Sequence, residues 1–450
     1  MTLENFVIEN GTIITPFEEL DNKNGEITKV EINENGTIDF VGLKEDNEEN
    51  RKKYGRYIRI NAEGKVIIPG LIDTHVHLNY EFEKRDIKGK KNIIDDIKEK
   101  IKNKSIDFSK QGVTGFILGT MAMPSIELEY MLEAIRDEMG VDNHSKLLGA
   151  LIEGSFINPS MAGAMNQAYL GIQPEFYFNG LIGDFKDTIK KIVFAPEMDS
   201  SYYDFIEKTN EKGIVSSLGH SNATYDEAKK IFNIIKVINH YPQRLSGFHH
   251  RNVGIVNYVD DYDFNRVVHL ETIIDNKHSD KNFIEGLVKN LKGKVKNWGE
   301  VLMLITDAIN IIALSEKELD PKTGKEYEIK KINGEKIYFI DGAPYLDSDK
   351  KILCGSVLTM DNAIKNMFSW FNNPLDRIEI IKSATSTVAE VHNEDKIGSL
   401  KKGKYADLTI FNKIENENNY NIGDVECTMV KGKIKYKSHS FSNRVKGGKT

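Results

Sequence analysis

The sequence contains little cysteine, and this scarcity excludes several classes of protein. Only two cysteines, Cys354 and Cys427, occur in 450 residues. They are far apart and lack the spacing of a disulfide framework or a zinc knuckle, so a reducing compartment is expected. We expect both thiols to be buried and structural, and the protein to be cytoplasmic.

Long hydrophobic runs and an excess of positive charge are also missing. No run approaches the roughly 20 apolar residues of a membrane span, and the first residues lack a basic flank followed by an apolar core. Lys and Arg number 61 against 68 Asp and Glu, for a net charge of −7. We therefore expect neither a membrane nor a nucleic acid as partner.

Short alternating apolar runs occupy both ends of the chain. In residues 1–66 they are separated by Asn10-Gly11 and Asn35-Gly36, which is typical of β-hairpins. Residues 397–437 return to the same pattern. The sequence predicts that both ends pair into one small β-sandwich domain, followed by a loose tail over residues 438–450 that is rich in Ser, Lys and Gly.

Residues 67–396 have a different rhythm, in which apolar runs alternate with charged segments of helical periodicity such as 93–106, 126–136 and 225–235. This alternation predicts an α/β fold, a (β/α)8 barrel of the TIM type. The eight predicted strands are 66–72, 115–118, 147–152, 192–194, 214–218, 237–238, 267–274 and 301–305. The polar stretch 315–336 is longer than a barrel connection needs and predicts a hairpin or a lid.

The first barrel strand ends in two histidines, His75 and His77. On a strand, residues two apart face the same side, so both imidazoles are able to bind one metal ion. Pro69-Gly70 bends the chain as it enters this strand. The alternative is that one histidine is a core residue and the other lies on the surface.

Polar residues also end four other predicted strands. Barrel enzymes carry their catalytic groups at the carboxyl ends of the strands. Each such residue alone has a structural alternative, since strand ends often cap helices or hold loops. Together, four imidazoles and two carboxylates at one mouth require a cation. The candidate ligands and catalytic group are His75, His77, Glu153, His220, His240 and Asp307.

Neutral imidazoles with a carboxylate favour zinc, with iron, manganese or nickel as alternatives, over calcium or magnesium. This number of ligands allows one or two ions. A bound metal lowers the pKa of a water molecule towards about 7 and polarises the carbonyl under attack. Asp307 is the candidate general base and acid, which takes the water proton and passes it to the departing amine.

The opening of the barrel resembles the amidohydrolase superfamily, which is marked by Pro69, Gly70, Ile72, Asp73, His75 and His77. A narrower resemblance, to the N-acetylglucosamine-6-phosphate deacetylase family, extends over nearly the whole chain. It is carried most specifically by Gly219-His220-Ser221-Asn222-Ala223-Thr224 and Gly355-Ser356-Val357-Leu358-Thr359-Met360.

This resemblance implies that Glu153, His220 and His240 hold the main metal, and it allows a second metal at the retained histidine pair. It further implies that His278 contacts the substrate near the scissile amide, and that Arg251 grips the phosphate, usually from the neighbouring subunit of a homodimer. Gln243 and Met360 are further candidate substrate contacts. The implied substrate is a phosphorylated amino sugar, which is deacetylated to the free amine and acetate.

Three departures from the family fall on the substrate side. Leu78-Asn79-Tyr80 replaces glycines, Met165 replaces a histidine, and Gln243-Arg244-Leu245 replaces Asn-Ala-Met. Two alternatives therefore stay open. One is an amidohydrolase of the same mechanism acting on another N-acyl or cyclic amide, and the other is a barrel that has lost catalysis and serves as a scaffold.

Overall fold

The structure is a computed structural model of the chain. The structure describes residues 4–23, 25–45, 47–78, 80, 89–172, 180, 182–199, 201–247, 251, 253–261, 268–309, 316–319, 326–332, 335–417 and 419–446.

Eight parallel strands form the central barrel, in the same order as in the chain. The ring is completed between the eighth strand and the first, where the Asp307 amide donates to the His75 carbonyl oxygen at 2.8 Å and the His77 amide to Ala308 at 2.9 Å. The eight barrel strands each overlap a predicted strand, and they are Leu71–His77, Val113–Gly119, Lys146–Ile152, Ile189–Phe194, Val215–Leu218, Val237–Ile238, His269–Ile273 and Leu302–Ile305.

Amphipathic helices cover the outside of the barrel. In the helix after the first strand, Ile93, Ile97 and Ile101 recur every four residues and form one buried stripe. The longer helices are Lys90–Lys110, Ser125–Glu138, Tyr202–Glu211, Lys281–Lys292, Met360–Trp370 and Pro374–Ser383, and shorter ones are Gly183–Phe185, Tyr225–Lys229 and Ser386–Val391. One further short helix, Glu48–Lys53, lies between two strands of the small domain.

The helix predicted over residues 225–235 is shorter than expected. It begins at a capping box made by Thr224 and Glu227 and ends at Lys229. Ile231 and Ile235 remain buried although they lie outside the helix. The apolar residues in this segment are therefore spaced for burial against the barrel, and their spacing does not show that the helix continues.

The small domain is a pair of β-sheets built from both ends of the chain. Leu408–Asn416 pairs antiparallel with Lys65–Pro69, which joins the carboxyl-terminal strands to the amino-terminal ones. One sheet has the strand order Lys433–Lys437, Asn419–Val430, Leu408–Asn416, Lys65–Pro69, Thr12–Ile14 and Glu19–Leu20, and the other Val445–Lys446, Ile58–Asn61, Phe6–Glu9, Glu26–Ile32 and Ile38–Glu45. This architecture is the predicted fold class.

Gly70 separates the small domain from the barrel. A Cβ atom at this position would lie 2.2 Å from the side chain of Thr114, so no larger residue fits without a shift. The predicted first strand is accordingly two strands, with Lys65–Pro69 in the small domain and Leu71–His77 in the barrel.

The prediction of a loose tail is wrong for the described residues beyond 437. Phe441 is fully buried, and Val445 pairs with Ile60 on the edge of the five-stranded sheet. One aromatic residue fixes this segment despite its polar composition. Residues 447–450 lie outside the described part of the chain.

The stretch after the eighth barrel strand forms an antiparallel sheet. Its strands are Glu316–Leu319, Glu326–Ile332, Glu335–Ile340 and Ala343–Tyr345. The hairpin alternative is therefore confirmed for the described residues, while 315, 320–325 and 333–334, with Pro321 and Gly324, lie outside them. Within the described ranges, no helix is both long and apolar enough to cross a membrane.

Candidate metal centre and active site

The histidine pair of the first barrel strand is buried at the carboxyl end of the barrel. Because the two residues share one face of the strand, their Nε2 atoms converge, and each lies 3.3 Å from Oε2 of Glu153. Glu153 immediately follows the third strand. The predicted meeting of these three side chains is therefore present in the fold.

A second pair of histidines faces the other oxygen of the same carboxylate. The Nε2 atoms of His220 and His240 lie 3.4 Å and 3.2 Å from Oε1 of Glu153. Both residues follow their strands in left-handed backbone, with φ of 48° and 29°. This uncommon conformation occurs at the point where each side chain enters the mouth of the barrel.

Backbone carbonyl groups orient the second pair. The carbonyl oxygen of Met161 lies 2.8 Å from Nδ1 of His220, and that of Gln243 lies 3.1 Å from Nδ1 of His240. A carbonyl only accepts, so Nδ1 carries the proton and the Nε2 lone pair is left for a metal.

The residues therefore form two groups that are able to hold a divalent metal ion. The first is His75, His77 and Glu153, and the second is Glu153, His220 and His240; in each, the ligand atoms lie within 4.8 Å of one another. Burial acts to raise the pKa of Glu153, yet the surrounding histidines hold it well below its ordinary value. A carboxylate flanked by imidazoles on both oxygens fits a cation on either side.

Asp307 lies beside the first histidine pair, just after the eighth strand. Its Oδ1 is 3.1 Å from Nε2 of His77 and 3.7 Å from Nε2 of His75. Burial raises the pKa of Asp307, but the neighbouring histidines outweigh it and lower the pKa to about 2. Asp307 is therefore ionised at neutral pH and able to accept a proton.

A buried ion network that the sequence patterns did not predict lies behind His75. Oε2 of Glu271 lies 3.1 Å from Nδ1 of His75, and Oε1 of Glu271 pairs with Lys191. Burial raises the pKa of Glu271, whereas Lys191 and His75 lower it to about 2. The available signal was Glu271, a charged residue in the middle of the predicted strand 267–274, whereas Lys191 lies just before the predicted strand 192–194.

A cavity of about 450 Å³ opens above the candidate metal centre. His278 and Gln243 line it, as the sequence predicts for substrate contacts. Nδ1 of His278 lies 2.7 Å from Asp275 Oδ2, and Gln243 Nε2 donates to the His278 carbonyl oxygen at 2.7 Å. The first contact lies within the loop after the seventh strand, and the second joins this loop to the one after the sixth strand.

The structure places two other candidate substrate residues elsewhere. Met360 is fully buried at the start of its helix and packs in the barrel core, so its prediction as a substrate contact is wrong. Its motif position reflects packing of the apolar helix face. Arg251 is exposed and does not line the cavity of its own chain. His249 and His250 lie outside the described residues.

Fold and site together define a barrel hydrolase of the amidohydrolase class. The chain belongs to the amidohydrolase family, whose sequence profile matches residues 66–435.

More particular similarity is to N-acetylglucosamine-6-phosphate deacetylases. The chain is 26% identical over 381 residues to the enzyme of Vibrio furnissii, covering 82% of each chain. It is 25% identical over 358 residues to that of Lysinibacillus sphaericus, covering 78% of this chain and 83% of the relative. The crystal structure of the Pasteurella multocida enzyme matches with a TM-score of 0.72 at 25% identity, covering 96% of this chain and all (100%) of that one.

Proposed function

We propose that this protein is a metal-dependent hydrolase that converts N-acetylglucosamine 6-phosphate to glucosamine 6-phosphate and acetate. The observation that carries the proposal is the convergence of His220 and His240 on Glu153 in a cavity that also contains Asp307. Relatives of that name, aligned over about four fifths of the chain, support the choice of substrate.

In this proposal, Glu153, His220 and His240 hold the main metal ion, and His75 and His77 with Glu153 hold a second. Zinc is the first choice, because imidazole and carboxylate ligands suit it. The metal, when bound, supplies a water of lowered pKa and polarises the amide carbonyl.

The chain itself supplies the proton transfers and the orientation of the substrate. Asp307 takes a proton from the attacking water and delivers it to the departing amine nitrogen, a role that suits a carboxylate ionised at neutral pH. Asp275 accepts from Nδ1 of His278, which leaves Nε2 available to the substrate.

The assembly and location are part of the same proposal. Arg251 is exposed and lies outside its own cavity, which supports a role for it on the phosphate of the neighbouring subunit in a homodimer. The cysteines Cys354 and Cys427 are free and buried, which supports a cytoplasmic location.

The direct test is a hydrolysis assay on N-acetylglucosamine 6-phosphate that measures release of acetate and of the free amine. We expect turnover that is lost on chelation and restored by zinc. Full activity after complete metal removal would overturn the proposed mechanism, and no hydrolysis by the metal-loaded enzyme would overturn the substrate.

A second candidate keeps the mechanism and changes the substrate to another N-acyl or cyclic amide. The observation that favours it is the apolar part of the cavity lining, which consists of Met121, Met161, Met165, Leu245 and Ile309 among other residues. A panel of N-acyl sugars, N-acyl amino acids and cyclic amides separates the two candidates. Faster hydrolysis of an amide without a sugar phosphate would favour the second.

A further inference from the structure

Arg244 is a cation in the wall of the candidate active site. It lines the same cavity as the metal-ligand candidates and is partly buried. Two other cations of that wall have partners, since Lys350 pairs with Asp341 and Lys351 with Asp349. Among the residues that the structure describes, none offers the Arg244 guanidinium a hydrogen bond or an ion pair.

The surrounding loops hold Arg244 in place. Its backbone is left-handed, with φ of 53°, and its carbonyl oxygen accepts from the Ser221 amide at 3.0 Å. A Cβ atom at Gly163 would lie 3.1 Å from Nε of Arg244. The arginine side chain therefore passes over Gly163, in the loop that follows the third strand, where the absence of a side chain leaves space for the guanidinium.

This arrangement is unfavourable without an anion. Arginine stays charged in proteins, and partial burial lowers the pKa of Arg244 with no carboxylate to oppose it. The carboxylates of the cavity floor, Glu153 and Asp307, already face histidines. An oxyanion that replaces the lost water stabilises a partly desolvated guanidinium through charge-assisted hydrogen bonds.

Lys277 is a second cation without an ion-pair partner on this side of the cavity, within the described part of the chain. It precedes His278, whose carbonyl oxygen accepts from the Gln243 side chain at 2.7 Å. Arg244 follows Gln243 directly. The hydrogen bond between Gln243 and His278 therefore brings the two loops together at positions that are each next to a cation in the sequence.

We infer that Arg244, assisted by Lys277, forms an oxyanion-binding subsite in the same chain as the candidate metal centre. It binds the phosphate of the substrate, and the planar guanidinium suits bidentate contact with two phosphate oxygens. The inference rests on the proposed sugar phosphate substrate. It differs from the expected role of Arg251, because Arg244 lies in the chain whose own cavity binds the sugar.

The kinetic test compares kcat/KM for N-acetylglucosamine 6-phosphate and for N-acetylglucosamine in the metal-loaded enzyme. We expect Arg244→Gln to lower the preference for the phosphorylated sugar by about 10- to 100-fold, as for loss of hydrogen bonds to a charged group. Arg244→Lys should recover part of it. Arg56→Ala, which removes an exposed arginine outside the cavity lining, is the matched control and should keep the wild-type ratio.

A binding test makes the inference independent of turnover and of one variant's folding. Calorimetry measures the affinity for inorganic phosphate and for glucosamine 6-phosphate in the wild type, in Arg244→Gln and in Arg244→Gly, which accepts left-handed backbone. Phosphate bound directly by metal contributes equally to all three proteins. The loss of affinity in the variants therefore reports Arg244.

The outcomes separate the two claims. The subsite is overturned if Arg244→Gln keeps the wild-type substrate preference and if Arg244→Gln and Arg244→Gly both keep the wild-type phosphate affinity, whether or not Arg251→Ala weakens binding. A second outcome is that the wild type does not hydrolyse the sugar phosphate, while the Arg244 variants bind phosphate more weakly than the wild type. That result would support the subsite and overturn the proposed function.

Discussion

Nδ1 of His75 lies 3.1 Å from Oε2 of Glu271, and both side chains are fully buried in the barrel. Because a carboxylate at neutral pH only accepts, Nδ1 carries a proton, and Nε2, which faces Glu153, is the nitrogen that a metal ion would take. Lys191 balances the charge of Glu271 from the fourth strand. This pair makes His75 a better metal ligand than its sequence position alone indicates.

We predict that removing this support weakens metal binding. Glu271→Leu combined with Lys191→Met deletes both buried charges and leaves Nδ1 of His75 without its acceptor. Loss of such a supporting bond typically lowers metal affinity by about 10- to 100-fold. Titration of metal against a competing chelator measures the change.

The control for this prediction is Glu271→Gln with Lys191→Met, which also removes both charges but keeps an oxygen that can accept from His75. Its metal affinity should lie closer to that of the wild type. Equal, unchanged affinity in both double variants would show that Glu271 does not orient the histidine.

Asp307→Asn should retain metal but lose most activity. The amide keeps the shape of the side chain and cannot take a proton from water, so we expect a fall in kcat of about 100- to 10,000-fold. Metal analysis and steady-state kinetics on the same preparation check both parts. A variant that turns over at the wild-type rate would remove Asp307 from the mechanism.

Gly70→Ala should destabilise the junction between the barrel and the small domain. The added Cβ would lie 2.2 Å from Thr114, and such overpacking typically lowers the free energy of unfolding by about 1–3 kcal/mol. Gly55→Ala is the control, because no atom lies within 4 Å of its new Cβ. Denaturant midpoints compare the variants, and equal midpoints for Gly70→Ala and the wild type would contradict the packing argument.

The buried carboxyl of Asp407 should make the free energy of unfolding depend on pH. Burial raises the pKa of this carboxyl to about 6, despite a hydrogen bond from the Lys431 amide. In the unfolded chain its pKa is about 3.9. Between these values the folded protein binds the extra proton, so this group lowers the free energy of unfolding as the pH rises, and its effect levels off above about pH 6.

Asp407→Asn should abolish that contribution. The midpoints of the variant and the wild type should therefore diverge between about pH 4 and 6 and keep a constant difference above that range. Denaturation at a series of pH values, with the same metal loading for both proteins, measures this difference between the midpoints. Parallel curves throughout would show that Asp407 does not titrate with a raised pKa.

Much of this fold and site follows from pattern alone. Apolar runs located all eight barrel strands because parallel strands are buried on both faces. The polar residues that follow these runs lie together at one end of the barrel, as predicted, because barrel geometry brings the carboxyl ends of the strands together. His77, Glu153 and Asp307 are adjacent for that reason, although they are distant in the chain.

Other features depend on contacts that no local pattern encodes. Glu271 and Lys191 pair in the barrel interior. From the sequence alone, each charged residue is expected at the surface, because its buried partner is distant in the chain. Met360 stands in a specific motif but packs in the core. The position of Arg244 in the cavity depends on loops after three different strands, whose course the sequence does not define.

The central claim is that Glu153, His220 and His240 hold a divalent metal ion. Anomalous scattering from crystals of the zinc-loaded protein, measured on both sides of the zinc absorption edge, tests it most directly. We predict a peak bounded by Oε1 of Glu153 and the Nε2 atoms of both histidines. A map with no peak there, or with zinc bound only at other residues, would contradict it.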